Sequence, residues 1–371
     1  MQPVDAPGSR GRDDYARGVP PPPVSVEPGC VLWQLADPER ELDRVRLWSD
    51  FDLGDTSFTW SDGGWRLRRQ RDALPPVARL EYLFEVTRDG DTNSTLDPDN
   101  PLRVGGAYGD HSVLALDYRP PAWLDVEPVD GQREELTVAG LPIGDLHAQV
   151  WSPAGTEPGD ELPLLLSHDG PEMDSLGELT RFVGAMIALR QAQGTGGLPP
   201  MRVGLLAPGA RNERYAANPA YAEALCDHLV PALRTLAPGR TRPVLIGQSL
   251  GALAALHAEW THPGTFGGLL LQSGSFFTRE LDEHESGFSR WAPVTEFVAE
   301  VHRARRAPSS LPVGICFGTA EENAANNQLL AKSLTDLGLP VAVGEVRDGH
   351  TFTCWRDLLD PHLVDLLHSA L

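Results

Sequence analysis

The pentapeptide Gly247-Gln248-Ser249-Leu250-Gly251 follows the apolar run Pro243-Val244-Leu245-Ile246 and precedes an alanine-rich helical run over 252–260. This order requires a buried strand to turn sharply into a helix, and it places small residues on both sides of the turn. In that setting the serine stands at a strained elbow with its hydroxyl clear of the sheet, which makes Ser249 a candidate nucleophile. Taken alone, a glycine-bracketed serine also describes an ordinary turn.

A hydroxyl is a poor nucleophile until a base takes its proton, so the reading demands an orienting carboxylate and then a histidine further along. The run 311–318 reads as a buried strand and ends in Thr319-Ala320-Glu321-Glu322, where the acid of an α/β-hydrolase belongs. The run 339–346 reads as the next strand and leads into Arg347-Asp348-Gly349-His350-Thr351, a loop that presents His350. Ser249, Glu321 and His350 are therefore expected at the ends of three parallel strands, where open α/β sheets build their sites. Glu321 is favoured over Glu322 because it is nearer the strand end, although a surface pair at a helix start is the competing reading. Of the 11 histidines, His257, His262 and His362 read as helix-surface or loop residues.

The segment Leu245-Ile246-Gly247-Gln248-Ser249-Leu250-Gly251-Ala252, continuing through His262-Pro263-Gly264 to Gln272-Ser273-Gly274-Ser275, resembles the enterochelin (enterobactin) esterase family. Gly349-His350 followed by Cys354-Trp355-Arg356 resembles that family's histidine motif. Asp169-Gly170, the run Arg211-Asn212-Glu213-Arg214, Asn218-Pro219-Ala220-Tyr221 and Leu229-Val230-Pro231 extend the likeness over most of the chain from about residue 130. The resemblance implies hydrolysis of the trilactone backbone of an iron-loaded catecholate siderophore, such as ferric enterobactin, inside the cell. Ser249, deprotonated by His350, would attack a lactone carbonyl, and water activated by the same histidine would release the acyl group.

The backbone N–H of Leu250 is one expected oxyanion donor. The second is expected from the loop after the strand-like run 162–168. Family members usually carry a polar residue after Asp-Gly, whereas this chain has Pro171, which has no N–H. Gly170 or Glu172 is left as donor, and a plain turn is the competing reading of this loop. By the same resemblance Arg211, Arg214, Trp355 and Arg356 are expected to bind substrate. The family's Arg-Glu order is inverted here as Glu213-Arg214, which moves a substrate-side charge.

Residues 1–25 are rich in glycine, proline, aspartate and arginine and carry no apolar run long enough to pack, so they read as a disordered tail without a cleavable signal. From 26 to 124, strand-like runs at 30–35, 42–51, 57–60, 64–69, 79–86 and 112–118 alternate with turn signals and predict a small β-sandwich. Leu96-Asp97-Pro98-Asp99-Asn100-Pro101 and Gly105-Gly106-Ala107-Tyr108-Gly109 resemble the domain that accompanies the hydrolase in these esterases. Trp60 and Trp65 read as core or strand-pair residues, with stacking on a flat ligand as the alternative. The basic cluster from Arg66 to Arg71 reads as the exposed side of a strand, or as a holder of anionic substrate. The expected fold is thus an all-β sandwich followed, over 125–371, by a mostly parallel α/β-hydrolase sheet with helices on both faces.

A net charge of −21 over 371 residues opposes nucleic acid and anionic membranes as partners, and no run reaches the roughly 18 to 20 apolar residues of a membrane span. The four cysteines, Cys30, Cys226, Cys316 and Cys354, lack metal-ligand spacing, which predicts reduced thiols, no metal or other cofactor, and a cytoplasmic location. A ferric catecholate is itself anionic, so such a substrate requires a locally positive pocket. A serine carboxylesterase or acyltransferase acting on a carbohydrate or other acyl ester is the alternative enzyme. A silent binding protein on a hydrolase scaffold is disfavoured by the intact serine, acid and histidine.

Overall fold

The computed structural model describes residues 25–27 and 29–371, and the chain divides into two units between Pro120 and Pro121. The expected tail lies outside the described residues except for Ser25, which opens the first strand.

In the first unit, β1 (Ser25–Glu27), β2 (Cys30–Ala36), β4 (Thr59–Ser61) and β5 (Gly64–Gln70) form one antiparallel sheet in the order β1-β2-β5-β4. The second sheet contains β3 (Arg44–Trp48), β6 (Arg79–Arg88), β8 (Arg103–Gly106) and β9 (Gly109–Ala115) in the order β3-β6-β9-β8, with β7 (Asp91–Thr95) paired to β6. Val31, Trp33 and Leu67 from one sheet meet Val45, Leu47, Leu80, Tyr82 and Phe84 from the other in a single core, as sandwich alternation requires. The sequence reading lacked β7 and β8. All five residues of β7 are exposed, so no apolar alternation marks it. Trp65 is buried and donates its indole N–H to Asp37, while Arg66 pairs with Asp62, which accounts for both residues within this unit.

The second unit is built on an eight-stranded sheet. Its strands are β10 (Gly131–Val138), β11 (Leu146–Pro153), β12 (Leu164–Ser167), β13 (Arg202–Leu206), β14 (Val244–Gln248), β15 (Gly268–Gln272), β16 (Val313–Gly318) and β17 (Val341–Val346). Their order is β10-β11-β13-β12-β14-β15-β16-β17, antiparallel at β10 and β11 and parallel from β13 onward. Parallel strands covered on both faces read as continuous apolar runs because alternate residues feed two different layers. Leu245 joins the core beneath the helices Leu250–Thr261 and Ala324–Asp336, while Val244 and Ile246 join the core beneath Leu179–Gln193 and Leu359–Ala370. The turn Ala122–Asp125 belongs to this unit too, with Trp123 packed edge-on against Phe182. All four cysteines are free and buried.

After β12 the chain moves outward to β13 and then returns to the other side of β12 to form β14. The strand order reverses there, and open α/β sheets place a ligand crevice at the carboxyl ends of strands on either side of such a point. Asp169-Gly170 follows β12 and Ser249 follows β14, so the two loops flank that point.

Candidate active site

Ser249 has φ 55° and ψ −122°, a strained conformation for a residue with a side chain, between the end of β14 and the helix Leu250–Thr261. A Cβ on Gly247 would run into the Gly251 carbonyl, and one on Gly251 would lie 3.1 Å from the His168 Cβ. Close backbone approach thus requires glycine at 247, while at 251 a side chain would crowd those of His168 and Asp169. Ser249 is stitched to the neighbouring strand, its N–H donating to the Gln272 carbonyl at 2.9 Å.

The loops after β16 and β17 hold each other. Thr319 N–H donates to the Val346 carbonyl and Ala320 N–H to the Asp348 carbonyl, and a Cβ on Gly318 would strike the Asp348 carbonyl. This brings His350 Nδ1 to 3.3 Å from Glu321 Oε2. The Glu321 side chain is completely buried, whereas that of Glu322 is 59% exposed with its carboxylate 3.6 Å from His284. The geometry separates two carboxylates that the sequence left adjacent. The imidazole of His350 rests against the edge of Trp355 at 5.1 Å, and the Trp355 indole N–H donates to Ser273 Oγ at 2.8 Å. Among the described residues no hydrogen bond joins Ser249 to His350; the Ser249 hydroxyl instead meets Ser275 Oγ at 3.2 Å.

Leu250 opens its helix, so its N–H has no acceptor within the helix. Gly170 opens the short helix Gly170–Ser175 behind Asp169, which is left-handed at φ 46°. A Cβ on Gly170 would collide with the backbone of Leu205 and Leu206, so only glycine fits. Asp169 is held by Arg211, whose Nε and Nη2 donate to its two carboxylate oxygens at 2.8 Å each, and Nη2 reaches the Gln248 carbonyl at 3.3 Å. That guanidinium clamps the loop after β12 to the end of β14. His168 makes a second tie, its Nδ1 lying 2.8 Å from the Gly251 carbonyl. Burial pushes the His168 imidazole down to about 4, so it is neutral and donates to that carbonyl.

Three of the four residues expected to bind substrate are buried: Arg214, Trp355 and Arg356. Arg214 donates to the carbonyls of Pro208, Ile143 and Asp145, and Arg356 pairs with Glu178 and Asp357. Their charges are consumed inside the fold, because a buried cation must be paired or hydrogen-bonded. Arg211 keeps about a third of its side chain exposed (34%). Glu213, the other half of the inverted pair, meets Arg290. Among the described residues one histidine–carboxylate group, His284 with Glu285 and Glu322, brings possible metal-ligand atoms within 4.8 Å of one another at the surface.

The Esterase family matches residues 143–366. The chain belongs to this family. It is a carboxylic ester hydrolase with an α/β-hydrolase-like fold. It is 26% identical to the iron(III) enterobactin esterase of Escherichia coli O6:H1, over 83% of this chain and 78% of that protein. It is 31% identical to the iron(III) salmochelin esterase of the same organism over a shorter stretch, 36% of this chain and 34% of the relative. The crystal structure of ferric enterobactin esterase from Salmonella typhimurium superposes with a TM-score of 0.72 at 22% identity, covering 91% of this chain and 93% of that one. The enterobactin esterase of Shigella flexneri, crystallised in the presence of enterobactin, gives 0.70 at 21% over the same shares of the two chains.

Several residues that shape this esterase's site were not singled out from the sequence. Ser275 ends the Gln272-Ser273-Gly274-Ser275 segment, where nothing local marks its hydroxyl, and His168 ends a strand-like run. Asn327 had no signal at all: its side chain accepts from the Gly274 N–H and donates to the Gly274 carbonyl, both at 2.9 Å. Such a bond between residues 53 apart leaves no local pattern.

Proposed function

We propose that this esterase opens the ester backbone of an iron-loaded catecholate siderophore, with Ser249 as nucleophile, His350 as general base and acid, and Glu321 orienting the imidazole. The observations that carry the reading are the pairing of His350 with buried Glu321 and a serine held at positive φ, all three lying just beyond the carboxyl ends of strands of one parallel sheet. Ser249 Oγ attacks the ester carbonyl as its proton passes to His350. The N–H groups of Leu250 and Gly170 meet the oxyanion that forms. His350 then protonates the leaving alkoxide, and water, giving its proton to the same histidine, hydrolyses the acyl-enzyme. Glu321 keeps the Nδ1 proton in place and offsets the imidazolium charge. Catalytic hydrogen bonds are often long in ligand-free enzymes and tighten with substrate, which accommodates the resting Ser249–Ser275 contact.

The substrate class is supported by the relatives, which are named for iron(III) enterobactin and iron(III) salmochelin. A cytoplasmic site of action, releasing iron from its ligand, belongs to the same proposal. No helix among the described residues is long and apolar enough to cross a membrane. A second reading, an uncharged acyl ester, is favoured by the burial of Arg214 and Arg356, which removes two cations expected for an anionic substrate.

Incubating the protein and its Ser249→Ala variant with ferric enterobactin, and following products by mass spectrometry, tests the proposal. Linear catechoyl-serine fragments from the unaltered protein alone are expected. Absence of fragments from a protein whose serine still reacts with a fluorophosphonate would move the substrate to another ester.

A further inference from the structure

The hydroxyl of Ser275 is 2% exposed as part of its residue, and among the described residues its hydrogen-bond partner is Ser249 Oγ at 3.2 Å. The segment that carries it is held from several sides. Ser275 N–H donates to the Ser249 carbonyl at 3.1 Å, in register with the Ser249 N–H bond to Gln272. Asn327 grips Gly274 through both backbone polar groups, and a Cβ on Gly274 would enter the Phe276 ring. Asn323 donates to the Ser273 carbonyl at 3.3 Å, and Ser273 sits in a left-handed conformation at φ 47°. Strain and clamping on this scale fix where the Ser275 side chain stands.

Either hydroxyl could donate in the Ser249–Ser275 bond, and burial favours Ser275 as the donor. A buried hydroxyl proton without an acceptor costs free energy, and Ser249 Oγ is the acceptor within reach of Ser275. Ser249 is only partly buried, so its own proton can be given elsewhere. We propose that Ser275 is a positioning residue: its hydroxyl donates to Ser249 Oγ, fixes the rotamer of the nucleophile, and leaves the Ser249 proton free to pass to His350. This inference rests on the assignment of Ser249 as nucleophile. The same segment touches Trp355 through Ser273, and Trp355 packs on His350, so one loop sets both partners of the proton transfer.

The test is the second-order rate of fluorophosphonate labelling at Ser249, with kcat and KM on a p-nitrophenyl ester, for Ser275→Ala, Ser275→Thr and Ser275→Cys, each checked by thermal melting. Ser275→Ala is expected to lower labelling and kcat by about fivefold to tenfold with KM unchanged, the worth of one neutral hydrogen bond. Ser275→Thr, which keeps the hydroxyl, is expected to recover most of that loss. If the alanine variant does not fold, the near-isosteric Ser275→Cys, a weaker donor, is expected to lose a few-fold in both rates. Ser275→Ala, or in its place Ser275→Cys, labelling and turning over at the unaltered rate overturns the inference and leaves the nucleophile assignment standing. An unaltered protein that fails to label at Ser249 overturns both.

Discussion

His350 Nδ1 lies 3.3 Å from Glu321 Oε2, while the carboxylate of Glu322, the next residue, stands in solvent near His284. One residue's difference in the loop after β16 therefore separates a buried carboxylate paired with His350 from a surface charge. Glu321→Gln is expected to lower kcat by about 10²- to 10⁴-fold, because an amide neither offsets the imidazolium nor enforces its tautomer. Glu322→Gln is expected to stay within about twofold, as exposed charges contribute little. Steady-state kinetics on both variants check the pair, and the opposite ranking would reassign the acid.

Replacing Ser249 by alanine removes the only atom proposed to attack the ester. Turnover is expected to fall by at least about 10³-fold with the melting temperature held or raised, since a strained elbow loses nothing by the change. Retained esterase activity in a sample shown by mass spectrometry to be pure variant would refute the nucleophile.

Arg211 holds Asp169 with two bonds and the Gln248 carbonyl with a third. Arg211→Ala leaves the buried Asp169 carboxylate without its cation and loosens the Gly170 N–H, so kcat is expected to fall about tenfold with a drop of a few degrees in melting temperature. A rise in KM alone, with kcat and melting temperature unchanged, would place Arg211 on the substrate instead.

His168 carries a pH signature. Burial lowers its imidazole from 6.5 to about 4. Between those values the unfolded chain binds a proton that the folded chain refuses, so stability fully present above pH 6.5 is lost as pH falls toward 4. The loss is of order 3 kcal/mol. His257, which the structure buries edge-on against Phe297 rather than leaving at the helix surface as the sequence suggested, is also lowered to about 4 by burial and adds in the same direction. Urea unfolding at steps from pH 7 to pH 4.5 is expected to show this decline, and His168→Asn, which keeps a donor for the Gly251 carbonyl, is expected to reduce its slope. An identical slope in the variant would mean that His168 titrates normally.

The turn around Ser249 and the buried parallel strands were legible in the sequence because their causes are local. Gly247 and Gly251 are adjacent to the turn they permit, and β14 to β16 are apolar at successive positions because both of their faces are covered. The serine, acid and histidine could be ordered along the chain for the same reason, each lying just beyond a strand-like run. The sequence favoured Glu321 over Glu322 by its place at the strand end, but only the tertiary structure buried the one and exposed the other, drew Arg214 and Arg356 into the interior, set Ser275 opposite Ser249 and brought Asn327 onto Gly274. The physical reason is that backbone sterics and hydrophobic burial are written in neighbouring residues. The partner of a charge or a hydroxyl is chosen by packing between segments tens of residues apart, and its energy leaves no period in the sequence.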